Sequence, residues 1–348
     1  MPLCETQVSL ARRRRRHKLS QTRNGGKSVS KKWTKKKIAR AIEVLGGHTS
    51  YTSALEELGE TKDSLYNAFN RAGKKSPTEY LGLHMTSAKA DPSHVKTGSG
   101  IYSICVFNDV HIPNHNEAAC RNMMDFIRDE QPDHIVINGD LMDCYWLSAF
   151  PKEPGVPDFQ AELDMTIEFL ETLREVAPNA KIDYLEGNHE ERLKRRLKEM
   201  QAFHSLRAIS IPELLFLNDF GVTYHKYKKP LDFNGKTLSI VHGHRVSKHS
   251  AYSAKAHLLD EDYMNIIIGH THRMGMYYKT GHIGRRRALE NGGLFDKSKL
   301  DYVVNPNWQN GFAMVYLLED DPEFTQIQPV EMTDEGTFVW RGKLYRQG

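Results

Sequence analysis

The sequence lacks several features that define large protein classes. Its 348 residues contain no apolar run of about 18 or more, so no transmembrane helix and no membrane partner are expected. The first residues lack the apolar core of a secretion signal, and no internal repeat is visible. Cys4, Cys105, Cys120 and Cys144 form no CxxC pair, which argues against a disulfide framework or a zinc knuckle. We therefore expect a cytoplasmic protein.

Charge is distributed unevenly along the chain, although its total is close to neutral. The 48 basic and 44 acidic residues give a net charge of +4. Residues 1–100 carry 20 basic and 8 acidic residues (20 − 8 = +12), whereas residues 101–348 carry 28 and 36 (28 − 36 = −8). This asymmetry favours an N-terminal region that binds a polyanion, joined to an acidic body. The length and the 39% apolar content indicate two domains with a sizeable packed core.

Residues 1–32 form a basic arm that we expect to be disordered, because like charges repel one another and little apolar surface is available to bury. Its densest part is a run of five cations that can contact phosphates: Arg12, Arg13, Arg14, Arg15 and Arg16. A solubilising tail or a nuclear-localisation signal is the alternative interpretation.

Residues 33–83 are predicted to form three short helices that resemble a helix-turn-helix. The first helix stops at Gly46-Gly47, the second ends at Gly59, and Thr61 can cap the third. The third helix would present groups suited to phosphates or base edges: Lys62, Tyr66, Asn67, Asn70 and Arg71. A small helical bundle used for oligomerisation is the alternative. Residues 84–100 are polar and aperiodic, which is typical of a linker.

From residue 101 onward, short apolar strands alternate with helices, which indicates an α/β layered core. Strands are predicted at 101–107, 134–138, 181–185, 237–241 and 265–268. Helices are predicted at 116–129, 159–176 and 191–206. Strand-like segments in the last part of the chain suggest an antiparallel sheet that closes a domain spanning residues 101–348.

A polar cluster follows each of the five predicted strands. The clusters are DVH at 109–111, GDLMD at 139–143, GNHE at 187–190, HGH at 242–244 and GHTH at 269–272. The C-terminal edge of an open α/β sheet is where ligands bind. Carboxylates, imidazoles and one amide, with no thiolate in the motifs, favour a hard or borderline divalent cation. We expect an extended backbone at each D-x-H or H-x-H triplet. The first and third side chains then point to the same side, so that both can reach one metal.

All five motifs, in this order, resemble the calcineurin-like metallophosphoesterase superfamily, over residues 107–272 and by strand pattern over most of 101–348. The resemblance implies a four-layer αββα sandwich around a two-metal centre. It implies one metal held by Asp109, His111 and His272, and a second held by Asn188, His242 and His270, with Asp140 bridging both. It also implies that His189 protonates the leaving group and that Asp143 orients its imidazole. Mn²⁺ is the expected metal, and Fe or Zn²⁺ also suit these ligands.

The Ser/Thr protein phosphatases of this superfamily carry phosphate-binding arginines where this chain has Cys144 and Glu186, which disfavours that activity. We therefore expect a two-metal, nuclease-like hydrolase that acts on phosphodiester or terminal phosphate bonds of DNA, with the N-terminal module binding the nucleic acid. One alternative is a phosphoesterase for small nucleotides or phosphoproteins, whose N-terminal module serves localisation or assembly. Another is a DNA-binding regulator with an inert phosphoesterase domain.

Overall fold

A computed structural model describes residues 33–47, 51–74, 100–149, 152, 158–200, 202–203, 205–300, 305–321 and 323–347. The predicted basic arm, with Arg12, Arg13, Arg14, Arg15 and Arg16, and almost all of the predicted linker lie outside these residues. Within the described ranges, every helix is too short or too polar to cross a bilayer.

Three N-terminal helices occupy the predicted positions: α1 (Lys35–Gly47), α2 (Tyr51–Leu58) and α3 (Lys62–Arg71). They share a small apolar core in which Ala41 and Leu45 of α1 pack with Leu65 and Phe69 of α3. Arg71 is exposed. The side chains of the other predicted contact residues lie outside the described part of the chain: Lys62, Tyr66, Asn67 and Asn70. The role of these helices in binding DNA stays a prediction.

The remaining elements form an α/β body. Its strands are β1 (Ile101–Phe107), β2 (His134–Asn138), β3 (Lys181–Leu185), β4 (Val222–His225), β5 (Leu231–Phe233), β6 (Leu238–Val241), β7 (Asn265–Ile268), β8 (Met274–Gly281), β9 (Gly284–Asn291), β10 (Asn310–Leu318), β11 (Thr325–Met332), β12 (Phe338–Trp340) and β13 (Lys343–Tyr345). Its helices are α4 (Glu117–Glu130), α5 (Phe159–Val176), α6 (Glu191–Glu199), α7 (Ile211–Leu214) and α8 (Tyr252–Asp260).

Two sheets make up the centre of this body. The larger sheet has the order β11-β10-β1-β2-β3-β4, with β1 to β4 parallel and β10 and β11 antiparallel at one edge. The smaller sheet has the order β5-β6-β7-β9-β8, with β6, β7 and β9 parallel. The C-terminal ends of β1, β2, β3, β6 and β7 carry the five polar motifs.

Side-chain alternation along the strands packs the two sheets against each other and each against helices. Phe107 of β1 joins the core that α4 and α5 cover, whereas its neighbour Val106 joins the core between the sheets. In the smaller sheet, Ile267 faces the core between the sheets, and Ile268 packs with Leu258 of α8. These contacts build the layers α4–α5, larger sheet, smaller sheet and α8, which confirms the expected αββα sandwich.

The C-terminal strands correct the prediction of a single closing sheet. β10 and β11 extend the larger sheet, β8 pairs with β9 in the smaller sheet, and β12 pairs with β13 as a separate ribbon. β9 was not predicted, because its first half is GRRR rather than an apolar run. Its inclusion depends on backbone pairing with β7, which aligns Ile267 with Leu289.

Helix α6 ends at Glu199, whereas the sequence pattern predicted a helix to residue 206. The apolar residues beyond its end do not continue a buried stripe, because Met200, Phe203 and Leu206 are all exposed. Residues 202 and 203 are in a turn instead. Apolar residues at helical spacing predict a helix only weakly when no neighbouring element packs against them.

Candidate metal centre

Seven ligand-type side chains lie at the C-terminal strand ends of both sheets. The larger sheet contributes Asp109, His111, Asp140 and Asn188, which follow β1, β2 and β3. The smaller sheet contributes His242, His270 and His272, which follow β6 and β7. Because the two sheets pack face to face, these strand ends meet along one seam.

The first group of ligands consists of Asp109, His111 and His272, all buried. His272 Nε2 lies 3.1 Å from Asp109 Oδ1, and His111 Nε2 lies 2.9 Å from His272 Nε2. Asp109 Oδ2 accepts hydrogen bonds from Asn108 Nδ2 at 2.6 Å and from the His270 amide at 2.8 Å. Its Oδ1 is buried and accepts no hydrogen bond from the described residues. One carboxylate oxygen is thus fixed and the other is left for a cation.

The second group brings Asp140 together with His242 and His270. His242 Nε2 lies 3.1 Å from Asp140 Oδ2 and 3.2 Å from Asn188 Oδ1. His242 Nδ1 is 2.7 Å from the carbonyl oxygen of Asn138, to which it donates. This bond orients the ring so that Nε2 faces the other ligands, as in metal-binding histidines.

The donor set fits a pair of divalent cations. The Nε2 atoms of His111 and His272 face each other at 2.9 Å, so both ring nitrogens can point at one cation. Asp140 groups with His242 and His270 on one side and with His111 and His189 on the other, as expected of a bridging carboxylate. Oxygen and imidazole donors without thiolate suit Mn²⁺, Fe or Zn²⁺. Asp109, His111 and His272 would hold one cation, and Asn188, His242 and His270 the other.

The backbone at the ligands is left-handed, which corrects the expectation of extended triplets. The φ angle is 50° at Asp109, 55° at His111, 51° at Asp140, 67° at His270 and 59° at His272. The Asp109 amide donates to the Gly139 carbonyl at 3.0 Å, and the His111 amide donates to the Asp140 carbonyl at 3.1 Å. Such backbone conformations cost on the order of 1–3 kcal/mol each and persist where surrounding structure enforces them. The ligands converge through these turns.

Two of the motif glycines are required by close approach. A Cβ atom on Gly187 would lie 2.1 Å from Asp140 Oδ1, and one on Gly269 would lie 2.7 Å from Asp109 Oδ2. Both distances are far below van der Waals contact. The glycines therefore leave space for the carboxylates of neighbouring strands.

His189 and Asp143 lie beside the metal ligands. The His189 amide donates to Asp140 Oδ1 at 2.9 Å. Its Nδ1 is 2.7 Å from the Asp143 carbonyl oxygen and 3.1 Å from Asp143 Oδ1. The same carboxylate oxygen lies 3.2 Å from His111 Nδ1. His189 Nε2 is 3.8 Å from Asp140 Oδ2, so the imidazole is anchored through Nδ1 and turns Nε2 toward the centre.

Electrostatics act differently on the carboxylate and imidazole ligands. Against the effect of burial, nearby carboxylates raise the pKa of His111 to about 10 and that of His242 to about 9. Burial alone would raise the pKa of Asp109, but His272 and His111 hold it well below the ordinary range, so the carboxylate is ionised. Burial, with the nearby His242, lowers the pKa of His270 to about 4. The His270 imidazole is therefore neutral at pH 7 and has a nitrogen lone pair available.

Sequence reasoning missed two residues that touch the centre. Glu190 is fully buried, and its carboxylate accepts hydrogen bonds from the amides of Asp140, Met142 and Gly187 at 2.9–3.1 Å. Its position within GNHE was a signal that the sequence offered. Arg192 donates to the Asp143 carbonyl oxygen, and its only sequence signal was a cation three residues after His189.

A family model for calcineurin-like phosphoesterases matches residues 102–274. This part of the chain belongs to the calcineurin-like phosphoesterase family, and with the ligand set it defines a metal-dependent phosphoesterase, a hydrolase. The N-terminal helices lie outside the match.

Among individual proteins, the chain is similar to the Gene 54 protein of Mycobacterium phage D29, with 28% identity over 240 residues, 61% of this chain and 88% of the relative. The Gene 54 protein of Mycobacterium phage L5 is 29% identical with the same coverage. Among solved structures, a Vps29 double mutant from Entamoeba histolytica is 14% identical, with 67% of this chain and 94% of that chain covered and a TM-score of 0.36. The phosphoesterase Yfce from E. coli is 14% identical, with 62% and 91% covered and a TM-score of 0.31.

Proposed function

We propose that this chain hydrolyses phosphodiester or terminal phosphate bonds of DNA, with two Mn²⁺ ions at the centre and with the N-terminal arm and helices binding the nucleic acid. The proposal is carried by one combination: a two-cation phosphoesterase site in the same chain as a 100-residue segment of charge +12. A basic segment raises the affinity for any polyphosphate backbone, because neutralised phosphates release counterions.

The residues around the centre would divide the reaction between them. Bound divalent cations lower the pKa of water and offset charge on the phosphoryl oxygens. His189 would deliver a proton from Nε2 to the leaving oxygen, and Asp143 would hold the opposite ring nitrogen so that Nε2 keeps its direction. Asp140 would hold the ligands of the two sheets at a fixed distance, because its oxygens contact His242 after β6 and the His189 amide after β3.

The test compares labelled single- and double-stranded DNA of defined ends with bis(p-nitrophenyl) phosphate, using the Mn²⁺-loaded full chain. Deletion of residues 1–100 should reduce hydrolysis of DNA and leave hydrolysis of the small diester unchanged. His189→Ala should reduce turnover of DNA by about 100-fold or more. It should affect the small diester less, because nitrophenolate is a good leaving group that needs little proton donation.

Two results would contradict the proposal. Release of no product from any DNA, together with efficient cleavage of the small diester, would point to a small-molecule or phosphoprotein substrate. Unchanged activity of the deletion variant on both substrates would assign the N-terminal module to localisation or assembly. Reconstitution with Mn²⁺, Fe²⁺ or Zn²⁺ in parallel tests the choice of metal, and Mn²⁺ should give the highest turnover.

A further inference from the structure

Arg192, in the first turn of α6, places a guanidinium group against the catalytic centre. Its Nη1 donates to the Asp143 carbonyl oxygen at 2.8 Å, and its Nη2 lies 3.0 Å from His189 Nε2. A guanidinium can only donate, so His189 Nε2 is the acceptor in this contact. The group is half-buried and lies beside the ring atom that is aimed at the ligands.

The charge of Arg192 is not balanced by an ion pair within the part of the chain that the structure describes. Other arginines of α6 differ in this respect, since Arg195 pairs with Glu191, and Arg196 pairs with Glu199 at 3.0 Å. Arg192 instead contacts an imidazole nitrogen and a carbonyl oxygen. Both are weaker partners for a guanidinium than an anionic oxygen.

Cations also follow two other ligand motifs: Arg245, which pairs with Asp260, and Arg273, which donates to the Ser247 carbonyl oxygen. Cys144 is fully buried, and its amide donates to Glu162. Glu186 is buried, and its carboxylate accepts a hydrogen bond from the Tyr227 amide at 2.9 Å. Among these residues, Arg192 is the cation that contacts the His189 imidazole.

We propose that Arg192 binds the phosphate group of the substrate, by moving one guanidinium nitrogen from His189 Nε2 to a non-bridging oxygen. Two oxygens of one phosphate are separated by about a hydrogen-bond length, so Arg192 Nη2 and His189 Nε2, which lie 3.0 Å apart, can each face one of them. Arg192 would take the non-bridging oxygen, and His189 Nε2, once released from Arg192, would take up a proton from water and face the leaving oxygen of the same phosphorus. The planar fork of the guanidinium suits this geometry. The inference rests on the phosphoesterase part of the proposed function and not on the identity of the polymer.

The test uses Arg192→Gln in the full chain, reconstituted with Mn²⁺, with Arg195→Gln as the matched control. Arg195→Gln removes the same charge from the same helix at an exposed position. Arg192→Gln should raise the KM for bis(p-nitrophenyl) phosphate and the inhibition constant of inorganic phosphate by about 10- to 100-fold, as expected for loss of a charge-assisted hydrogen bond. Arg195→Gln should change either value less than about 2-fold. Arg192→Lys, which keeps the charge but loses the fork, should lie between the two.

A fall in kcat alone, with KM and phosphate inhibition unchanged in Arg192→Gln, would show that Arg192 only holds His189, and would overturn the proposal.

Metal content and melting temperature are measured for each variant, and Arg192→Lys is compared with the native chain if the Gln variant does not fold. Cleavage of the small diester but not of DNA would contradict the DNA substrate while still testing Arg192. If no substrate is turned over, calorimetry with inorganic phosphate and the Mn²⁺-loaded chain measures the same contact, and equal affinity in all variants would refute it.

Discussion

Single residues at this centre are positioned by steric fit as well as by hydrogen bonds. The side chain of Asp140 has a fixed place because its Oδ1 accepts from the His189 amide and its Oδ2 faces His242. The space that the carboxylate occupies is available only because residue 187 has no Cβ atom. A methyl group there would compete directly with a metal-binding oxygen.

Gly187→Ala is therefore expected to displace the Asp140 carboxylate and to lower Mn²⁺ occupancy, with a loss of hydrolysis of at least about 100-fold because ligand placement sets the reacting geometry. Metal analysis after dialysis and turnover of bis(p-nitrophenyl) phosphate measure both effects. Gly281→Ala is the control, since a Cβ atom at that position meets nothing within 4 Å. Full occupancy and full activity in Gly187→Ala would contradict the steric argument.

Glu162 of α5 is a buried acid whose environment disfavours its charged form. Burial raises its pKa from 4.5 to about 8, and Asp143 and Glu190 add to this effect, while the Cys144 amide and Arg192 oppose it. Its Oε2 has no hydrogen-bond partner among the described residues, so no donor stabilises a negative charge on that oxygen. As the pH rises from 4.5 to 8, the unfolded chain loses this proton while the folded chain keeps it, so stability falls across that interval.

Glu162→Gln should flatten this decline, because an amide has no proton to lose over that range. The difference in unfolding free energy between Glu162→Gln and the native chain should shift in favour of the variant by about 2–4 kcal/mol from pH 5 to pH 8. Urea denaturation at pH 5, 6.5 and 8 measures the change. Glu168→Gln, at an exposed position of the same helix, should leave the native pH dependence intact. Parallel pH curves for the native chain and Glu162→Gln would rule out a neutral Glu162.

At the scale of elements, Glu190 ties the ends of β2 and β3 together. Its carboxylate accepts from the amides of Asp140 and Met142 after β2, from the Gly187 amide after β3, and from Tyr184 Oη within β3 at 2.7 Å. Four donors on one buried carboxylate fix two loops relative to each other. Both loops carry ligand-type residues, so the first turn of α6 is joined directly to the geometry of the centre.

Glu190→Ala should cost about 3 kcal/mol or more of unfolding free energy, because three backbone amides lose their buried acceptor. Denaturant unfolding of the metal-free chain gives this value without a contribution from cation binding. Glu191→Ala, one residue along and paired with Arg195 at the surface, should cost less than about 0.5 kcal/mol. Similar losses in the two variants would contradict the role of Glu190 as a tie between strands.

The elements show how far the sequence alone could predict this structure. β1, β2, β3 and β7 lie at the predicted residues, because buried strands are short β-branched runs ended by glycine or aspartate. The approach of the five motifs could be predicted from the common edge of parallel strands. The left-handed turns at Asp109 and His111 could not, since they depend on amide bonds to the β2 loop.

Contacts of long side chains were also beyond prediction. Arg192 is an ordinary helical cation in the sequence, and only the turn of α6 brings it against His189. β9 was missed for a related reason: its partner β7 supplies the hydrogen bonds that its composition does not suggest. Local pattern predicts elements, whereas tertiary pairing decides which side chains meet.

For the whole molecule, the charge asymmetry leads to a prediction about salt. If the basic arm contacts DNA, changing its five consecutive arginines to glutamine should reduce the slope of log affinity against log salt by about 3.5 to 4.5. Fluorescence anisotropy with the metal-free full chain between about 50 and 200 mM salt measures this slope without cleavage. An equal change with five exposed cations of the body would contradict a specific role of the arm: Lys236, Lys279, Arg285, Arg341 and Lys343.

Division of the ligand set between two sheets links the cations to the stability of the whole body. Cations bound only by the folded chain at about 100 times their dissociation constant add about 2.7 kcal/mol per site, so chelation should lower the melting temperature. Ile267→Ala, in the core between the sheets, should weaken Mn²⁺ binding as well as stability, whereas Tyr278→Ala, at an exposed position, should change neither. Calorimetric Mn²⁺ titration of both variants separates the two effects, and unaltered affinity in Ile267→Ala would contradict this link.

The seam between the sheets also decides which substitutions can alter turnover from a distance. Strands β6 and β7 are followed by His242, His270 and His272. The distance from these histidines to Asp109 and Asp140 depends on how closely the apolar faces of the two sheets approach each other. A substitution that adds or removes a methylene group in that interior would change the distance between the ligands of the larger sheet and those of the smaller sheet, although the substituted residue does not contact the substrate. We therefore expect the hydrolytic rate to depend on the thickness of the hydrophobic interior between the sheets. Substitutions that change the size of those interior side chains would change the rate even when every metal ligand stays the same.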